Sequence, residues 1–482
     1  MSTATVPSEG PSEGPSEGPS EQHREPTGEP PSDSDFPPVD QADAQALPPK
    51  PGVPPGPRKP MALQSLAFFT RHNPFVRRAR AKHGDVFTIR LLGFGDLVIV
   101  ADPALVKQVF SADTKVLHAG TGSPLGAVLG ANSLLAIDED LHLRQRRLLL
   151  PPFHGERMKS YEPVIEEITI DEISRWPEDK DFEALPSMQK ITLRAILRTI
   201  FGARGTELDE LEELIPRMVD WGAALVQYKF LHHDWGRFSP WGRFLWLRRR
   251  TYKVLDKLIE EARNDEDLTD RSDVLALLVQ ATHEDGSPMS DEEIKDQLMT
   301  LMIAGHETTA SSLGWAIERL SRTPDALKKI SDEALAGGSE YRDAVFRETL
   351  RVRPTVTFAV RYVVQPYVLD GWELPVRTRI ALHPGLTQDD PRLFEGPREY
   401  RPDRFLEGKP VPFSWIPFGG GVRRCIGASF AQMEMDVVLR TIFERVELAP
   451  TDEADEPLAF RGVTFAPGKG AKARIRHRAA AV

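Results

Sequence analysis

The single cysteine of this 482-residue chain, Cys425, lies in a glycine- and arginine-rich run at positions 418–427. One thiol excludes an intramolecular disulfide, a paired-cysteine redox motif and a multi-cysteine metal site. A lone thiolate can still be a nucleophile or one axial ligand of a haem iron. Three consecutive glycines, Gly419 to Gly421, favour the ligand interpretation, because a backbone without Cβ atoms can pass close to a flat cofactor.

Positive charge and a predicted helix lie next to this cysteine. Arg423 and Arg424 precede Cys425 directly, and a helix is predicted from about Ile426 onward. Both the charge and the free N–H groups of a helix N-terminus stabilise an anionic sulfur, so we expect a thiolate. The alternative is a buried structural cysteine beside a glycine-rich turn.

Five positions of this run resemble a known motif. Phe418, Gly421, Arg423, Cys425 and Gly427 match the cysteine-ligand loop of the cytochrome P450 superfamily, the haem-thiolate monooxygenases. The resemblance implies that the cofactor is haem b, with Cys425 as the proximal iron ligand. It also implies that Phe418 shields the sulfur from water and that Arg423 binds a haem propionate, since guanidinium binds carboxylate bidentately.

The N-terminal part of the chain differs in composition from the rest. Residues 7–21 repeat the letters PSEG, and sixteen of the 41 prolines fall before residue 61. Such a segment has too few apolar side chains to offset its ordering entropy. We expect a disordered acidic tail over residues 1–55, either inert or a partner contact, and a catalytic domain over residues 56–482.

Charge and hydropathy exclude several classes of protein. Of the net charge of −11, residues 1–45 carry −9 through ten acidic residues and one basic residue, which leaves −2 for the remainder. Net charge therefore gives no case for nucleic-acid binding. No apolar stretch approaches the roughly 18–20 residues of a membrane span, and the N-terminus lacks the order of a signal peptide. We expect a cytoplasmic protein without a transmembrane anchor, and within the family that it resembles this implies a soluble member of bacterial type.

The periodicity of the remaining chain predicts a mostly helical α+β fold. Within residues 85–100, two segments rich in β-branched and apolar residues flank Gly93 and Gly95. This pattern predicts a β-hairpin with a glycine turn. Helical periodicity then runs from Pro103 to about Phe443, interrupted by short strands around residues 356–381. The resemblance implies the cytochrome P450 fold, with a large helical subdomain, a small β-rich subdomain, and haem between a long central helix and the cysteine loop.

A long buried helix is predicted between a capping box at Ser290 and Glu293 and a stop near Arg322, before Pro324. About 32 residues would span roughly 48 Å. The helix is apolar nearly all round, which is typical of a buried helix. Residues 304–309, with the sequence AGHETT, form a polar interruption in its middle.

This interruption matches the oxygen-activation motif of cytochromes P450. By resemblance, small Ala304 and Gly305 let the helix pass over the macrocycle, and Thr308 hydrogen-bonds dioxygen or a water beside it. Glu307 would relay protons from bulk solvent. We interpret His306 as a neutral helix residue that is not a metal ligand. A solvent-facing patch on a half-exposed helix is the alternative.

Two further groups of residues support the haem interpretation by resemblance. Glu348 and Arg351 share a helix face and, with Arg404, match a structural ion-pair triad that supports the fold. His142 and Arg146, four residues apart on one predicted helix, can both reach a propionate. Arg361 occupies another propionate-binding position of the family. A plain basic surface helix is the alternative for residues 142–147.

The substrate pocket is predicted by resemblance alone. Its walls would be the loop before residue 142, the long helix and the strand after residue 354. The apolar side chains that these segments supply suit a hydrophobic substrate, although core packing would give the same set. They are Leu125, Val128, Leu129, Met302, Ile303, Val356 and Phe358.

Tryptophan and arginine are concentrated in residues 221–250, which contain half of the chain's eight tryptophans. They are Trp221, Trp235, Trp241 and Trp246. Basic and aromatic side chains together suit a membrane interface. We expect either a lid with peripheral lipid contact at residues 229–250 or a helix pair that buries its tryptophans.

The predicted function is a haem-dependent monooxygenase that hydroxylates or epoxidises an apolar organic substrate with O2. No flavin, pyridine-nucleotide or iron–sulfur motif is present, so a separate ferredoxin or flavodoxin with its reductase is implied. Arg423 or Arg424, with Arg144 or Arg147, would dock that acidic partner. The alternatives are a haem-thiolate peroxygenase or isomerase, a non-catalytic haem sensor, and a cysteine hydrolase.

Overall fold

The computed structural model describes residues 49–478, except for residues 124, 156, 203–204 and 226–231 and the side chains of residues 223, 224 and 237. The predicted tail falls almost entirely outside the described residues and stays a prediction. Part of the predicted lid, residues 229–231, also lies outside them.

Helices dominate the described chain. They are α1 (Met61–Thr70), α2 (His72–His83), α3 (Pro103–Phe110), α4 (Gly126–Leu129), α5 (Glu139–Leu149), α6 (Arg157–Ile173), α7 (Ala184–Phe201), α8 (Thr206–Leu225), α9 (Pro240–Arg263), α10 (Val274–Gln280), α11 (Asp291–Ser321), α12 (Pro324–Ala336), α13 (Glu340–Val352), α14 (Pro384–Thr387), α15 (Arg404–Glu407) and α16 (Ala428–Arg445).

The strands are short. They are β1 (Lys50–Pro51), β2 (Val86–Leu91), β3 (Gly95–Val100), β4 (Leu117–His118), β5 (Phe182–Glu183), β6 (Ala359–Val363), β7 (Tyr367–Leu369), β8 (Trp372–Leu374), β9 (Arg379–Leu382), β10 (Val446–Leu448), β11 (Leu458–Arg461), β12 (Thr464–Pro467), β13 (Lys472–Ala473) and β14 (Ile475–His477). The mostly helical α+β class is therefore confirmed.

The largest sheet has the order β2-β3-β9-β6-β4 and contains the predicted hairpin. In that hairpin β2 pairs antiparallel with β3, from Val86 opposite Val100 to Leu91 opposite Gly95. Alternate residues of a strand point to opposite faces, and here both faces are buried. Val98 belongs to one apolar cluster and Ile99 to another, so the sheet separates two cores.

The long helix α11 forms as the sequence predicts. Its N-cap is Ser290, whose hydroxyl accepts from the Glu293 N–H while the Glu293 carboxylate accepts from the Ser290 N–H, a complete capping box. The helix runs through the main helical core and packs against α7 and α16. No helix in the described part of the chain is long and apolar enough to cross a bilayer.

Candidate active site

One short stretch of α11 remains accessible while the rest of the helix is buried. Between Ile294 and Ser321, all residues are buried except Ile303, Ala304, Gly305 and Thr308. Ala304 and Thr308 are four residues apart and therefore share one side of the helix. The Thr308 hydroxyl donates to the Ala304 carbonyl oxygen over 2.8 Å, which leaves the hydroxyl oxygen as an acceptor. We call this side, with Ala304 and Thr308, the open face of α11.

Packing against a neighbouring helix favours a glycine at position 305. A Cβ atom built on Gly305 would lie 3.3 Å from two side-chain carbons of Ile196 on α7. The missing side chain therefore allows close packing of two helices. Contact of Gly305 with a cofactor stays a prediction. Ala304 alone of this small pair lies on the open face.

Glu307 points away from the open face into a buried polar group. Its carboxylate accepts from Gln189 Nε2 at 2.9 Å, and Arg461 Nε lies 2.8 Å from its other oxygen. Arg461 also pairs with the exposed Asp220 at 3.2 Å. Burial raises the pKa of Glu307 despite the opposing effects of Arg461 and Gln189. The carboxyl group therefore connects to the surface through one arginine.

His306 is neutral, as its position in the helix suggested. It is buried, and its Nδ1 donates a hydrogen bond to the Met302 carbonyl oxygen over 3.2 Å. Burial lowers the pKa of His306 to about 4. Among the described residues, no group of three or more histidine, cysteine or acidic side chains is arranged to hold a metal ion.

The cysteine loop lies directly before α16. The Cys425 N–H donates to the Phe418 carbonyl oxygen over 2.9 Å, which closes the loop. Gly421 has a φ of +61°, and a Cβ atom there would lie 2.2 Å from the Phe110 carbonyl oxygen. The loop therefore needs glycine at 421 for its own backbone and packing. A Cβ atom on Gly427 would meet nothing within 4 Å, so this position is open.

Protein groups alone do not make Cys425 a thiolate. Cys425 is exposed, but it lies in a recess with protein on most sides. Burial raises the pKa of Cys425, and this effect outweighs the Gly427 N–H, Arg146 and Arg424, which lower it. The predicted stabilisation of the thiolate by Arg424 and by a backbone N–H ahead of α16 is present, but the effect of burial is larger. A bound metal ion deprotonates a coordinating thiol outright.

Four predicted propionate partners do come together. The charges of Arg146, Arg361 and Arg423 all lower the pKa of His142, after burial, so these side chains share one neighbourhood. His142 and Arg361 are buried. Arg423 donates to the carbonyl oxygens of Leu134 and Ile137, which leaves it fewer donors for a ligand than predicted.

Asp138 is the acidic member of this cluster, and the sequence interpretation missed it. It pairs with Arg423 at 2.5 Å, and the backbone N–H groups of Ala119, Gly120 and Thr121 donate to it. Asp138 immediately precedes α5, where an acidic residue is a common helix cap. This position could have indicated a functional role for Asp138. Its contact with Arg423 could not be predicted from sequence spacing, because the two residues are 285 positions apart.

The cluster has the charge and the free donors for a dianionic ligand. Three arginines face one aspartate, a surplus of two positive charges. Within the described part of the chain, Arg361 donates to its neighbouring Val360 carbonyl oxygen and lies over the Phe110 ring, and burial lowers its pKa to about 10. His142 Nδ1 is buried and has no hydrogen-bond partner among the residues that the structure describes. Two carboxylates here would satisfy the cationic surplus and this nitrogen, so the residues fit a group with two propionates.

The predicted ion-pair triad is assembled in the core. Arg351 binds both carboxylate oxygens of Glu348 at 2.6 and 2.8 Å, and Arg404 Nε lies 3.2 Å from the same carboxylate. Arg351 also donates to three carbonyl oxygens, those of Gln388, Pro397 and Glu399. The guanidinium therefore joins α13 to the segment that precedes α15.

The seven predicted substrate residues divide into two groups. Leu125, Ile303, Val356 and Phe358 keep accessible surface. The others, Val128, Leu129 and Met302, are buried in the main helical core, so their expected substrate contact is not present in this conformation. The Ser312 and Thr355 hydroxyls are hydrogen-bonded at 2.8 Å, which places the segment with Val356 next to α11.

The tryptophan-rich region is also divided. Trp241 stacks on His232 at 3.9 Å and on Phe244 at 5.0 Å, and the Arg243 guanidinium lies 5.4 Å from the centroid of Trp221. Two tryptophans remain on the surface, because Trp235 is 72% and Trp246 46% exposed. Packing within the fold therefore accounts for two of the four tryptophans, Trp221 and Trp241.

Comparison with known proteins identifies the family. The family model for cytochrome P450 matches residues 54–471. The Mycobacterium tuberculosis protein named "Putative cytochrome P450 138" is 47% identical over 437 residues, 90% of this chain and 99% of the relative. Another from the same organism, "Putative cytochrome P450 135B1", is 40% identical over 88% of this chain and 92% of its own length.

Solved structures agree on the fold. The retinoic-acid-bound cyanobacterial CYP120A1 superposes with a TM-score of 0.77 at 21% identity, over 90% of this chain and all of that one. The haem domain of cytochrome P450DA also gives a TM-score of 0.77, at 24% identity, over 90% and 99% of the two chains.

The chain is a member of the cytochrome P450 family and has its fold. It is a haem monooxygenase that binds haem b and acts with substrate, O2 and redox partners, as the family does. The predictions of family, fold class, enzyme class and cofactor are therefore confirmed.

Proposed function

We propose that this enzyme hydroxylates or epoxidises an apolar organic substrate, using two electrons from a separate ferredoxin or flavodoxin with its reductase. The observation that supports it is the open face of α11, where the Thr308 hydroxyl is accessible beside Ile303. Leu125, Val356 and Phe358 supply further accessible apolar surface. Apolar surface with few polar groups suits a substrate held by shape. We also propose a cytoplasmic location.

The cofactor is held by residues of three elements. Cys425 would ligate the iron, and Phe418 would keep water from the sulfur. His142, Arg146 and Arg361 would bind the propionates, with Arg423 in support. Haem b supplies the iron at which O2 is activated.

Proton delivery is assigned to the acid–alcohol pair. The Thr308 hydroxyl oxygen would accept a hydrogen bond on the open face. Glu307 would hold a proton at its carboxyl group, helped by its raised pKa, and exchange it with solvent past Arg461 and Asp220. A peroxygenase or isomerase, or a haem sensor, would have no use for this pair, so the monooxygenase is favoured over both.

Replacing Thr308 by valine tests the proposal. Valine keeps the shape and removes the hydroxyl, so we expect product formation to fall by roughly 10²-fold while electron consumption continues. The assay compares product with electrons consumed, for a substrate selected by its shift of the haem absorption. Thr309→Val is the matched control, because the Thr309 hydroxyl is buried and donates to Gly305 O. Equal coupling in both variants would contradict the role of Thr308.

The redox partner would dock near the cysteine loop. Arg144 and Arg424 are exposed there, whereas Arg147 is partly neutralised by Glu284 at 2.9 Å. An acidic partner would bind these two arginines, and its electron delivery in the same assay should slow as ionic strength rises. A rate independent of salt would argue against an electrostatic site.

Peripheral lipid contact is proposed for the exposed part of the tryptophan-rich region. Trp235→Ala with Trp246→Ala should lower co-sedimentation with anionic phospholipid vesicles by roughly tenfold, since both side chains would lose buried apolar area. The control is Leu335→Ala, which removes an exposed apolar side chain from α12. Trp241 is unsuitable as a test because it is stacked in the fold. If the wild-type protein does not co-sediment with the vesicles, the hypothesis of lipid contact is wrong.

A further inference from the structure

The end of helix α13 carries carbonyl oxygens that its own backbone does not satisfy. The last turn of any α-helix leaves such groups, and here Pro354, four residues after Leu350, has no N–H to donate. Gln388 supplies a donor, because its Nε2 donates to the Leu350 carbonyl oxygen over 3.0 Å and to that of Arg351 over 2.9 Å. Gln388 follows α14 and is only 1% exposed, so its amide closes the helix end inside the protein.

The other end of the same amide holds the segment that leads to the cysteine. The Ile416 N–H donates to Gln388 Oε1 over 3.2 Å. Because Nε2 serves two carbonyl oxygens and Oε1 serves one N–H, only one orientation of the amide satisfies all three bonds. Gln388 therefore connects the end of α13 to the backbone that runs on to Cys425.

The backbone from Ile416 to Cys425 continues this connection. The Gly419 N–H donates to the Ile416 carbonyl oxygen over 3.1 Å, and the Cys425 N–H donates to the Phe418 carbonyl oxygen over 2.9 Å. The ring centroids of Phe418 and of Phe346 in α13 are 6.1 Å apart. A shift of Ile416 would therefore pass through two hydrogen-bonded turns to the residue that carries the sulfur.

A tryptophan beside Ile416 holds the loop to the same helix. Trp415 Nε1 donates to the Arg347 carbonyl oxygen in α13 over 3.1 Å. Two adjacent loop residues are thus attached to α13 by different side chains. The Arg351 guanidinium takes no part in either attachment, because it donates to the backbone carbonyl oxygen of Gln388 and not to its side chain. The side chains of Gln388 and Trp415 can therefore be changed without removing a bond of the ion-pair triad.

We propose that Gln388 and Trp415 anchor the cysteine loop to α13 and thereby keep Cys425 in place as the ligand of the haem iron. The inference rests on the proposed function, because it takes Cys425 as that ligand. Gln388 and Trp415 are positioning residues, which act on the iron only through the loop. Residues that orient a metal ligand by hydrogen bonds contribute to the strength of metal binding although they do not touch the metal.

The persistence of thiolate ligation in the full-length haem protein tests the anchor. The measurement is the rate at which the reduced, carbon-monoxide-bound protein loses its strongly red-shifted Soret band in sub-denaturing urea, with haem content followed in parallel. Gln388→Met keeps the length of the side chain and removes its three hydrogen bonds. We expect the band to be lost roughly tenfold faster while haem stays bound. Trp415→Phe, which removes the Nε1 donor and leaves the Gln388 bonds in place, should act in the same direction.

A second buried glutamine gives the matched control. Gln64 of α1 is 0% exposed, donates to the Pro57 and Lys59 carbonyl oxygens at 3.0 and 2.7 Å, and accepts from the Arg90 N–H at 3.0 Å. Gln64→Met therefore removes the same set of bonds from the contact between α1 and β2. It should lower the urea midpoint about as much as Gln388→Met and leave the rate of band loss unchanged. Equal rates of band loss in the two glutamine variants would show that Gln388 acts on general stability alone and would overturn the proposal.

Amide hydrogen exchange gives a readout independent of the haem. The Gly419 and Cys425 N–H groups, whose acceptors lie within the loop, should exchange faster in Gln388→Met and Trp415→Phe and at the wild-type rate in Gln64→Met. If Gln388→Met does not fold, Trp415→Phe decides the question alone. Wild-type exchange and wild-type band loss in the anchor variants would contradict the inference. A wild-type protein without the red-shifted band would instead show that the proposed iron ligand is wrong, and exchange would still decide whether the two side chains hold the loop.

Discussion

Replacing Cys425 by serine is expected to abolish the strongly red-shifted Soret band of the reduced, carbon-monoxide-bound protein. Serine is nearly isosteric, but its hydroxyl does not supply an anionic sulfur donor to the iron. Turnover should fall by roughly 10³-fold or more, the scale seen when one member of a catalytic unit is removed. Absorption spectra of the two proteins, normalised to haem content, provide the measurement.

The matched control for this variant lies in the same segment. Ser429 is exposed in the first turn of α16, so Ser429→Ala should keep both the red-shifted band and the haem content. If Cys425→Ser kept the shifted band, another residue would be the ligand and the site would need to be reassigned. Because burial raises the pKa of the Cys425 thiol, thiolate character should depend on haem binding itself.

The second large effect is expected from Arg351→Leu. Arg351 and Glu348 are both fully buried, and the substitution leaves the Glu348 carboxylate with Arg404 as its only ionic partner among the described residues. Removing one member of a buried pair costs about 3–5 kcal/mol of the free energy of unfolding, because the remaining charge is uncompensated. The urea midpoint and the haem bound per chain should both fall.

A surface pair on the same helix gives the control. Arg347 pairs with Asp343 at 2.8 Å, four residues apart and partly exposed, so Arg347→Leu should cost less than about 1 kcal/mol. Arg351→Lys should not rescue stability, since lysine cannot replace the fork that reaches Glu348 and three carbonyl oxygens. Equal urea midpoints for the Arg351→Leu and Arg347→Leu variants would show that the triad does not support the fold.

Local patterns in the chain were enough to predict much of the architecture. A capping box and a proline-free run predicted α11 within one residue of its end, and a glycine turn between alternating segments predicted the β2–β3 hairpin. These features depend on neighbours a few residues apart. The cysteine loop was also recognisable, because its glycines and arginine are contiguous with Cys425.

Contacts between distant segments were beyond such patterns. The pairing of Glu307 with Gln189 and Arg461 depends on how α7 and β11 pack against α11. The same packing decides that Gly305 faces Ile196 and that Met302 is in the core. Sequence spacing predicts which residues share one side of a helix. Which of those sides is buried depends on the elements that pack against the helix.

The charge balance of the propionate cluster has a consequence for how the protein is made in the cell. Without haem, the positive charges of Arg146, Arg361 and Arg423 exceed the single negative charge of Asp138 inside the protein. Haem binds the folded chain in preference to the unfolded one, so its supply adds to folding stability by mass action. We therefore expect newly synthesised chains to mature only as fast as haem is delivered, and iron limitation to lower the amount of the enzyme itself.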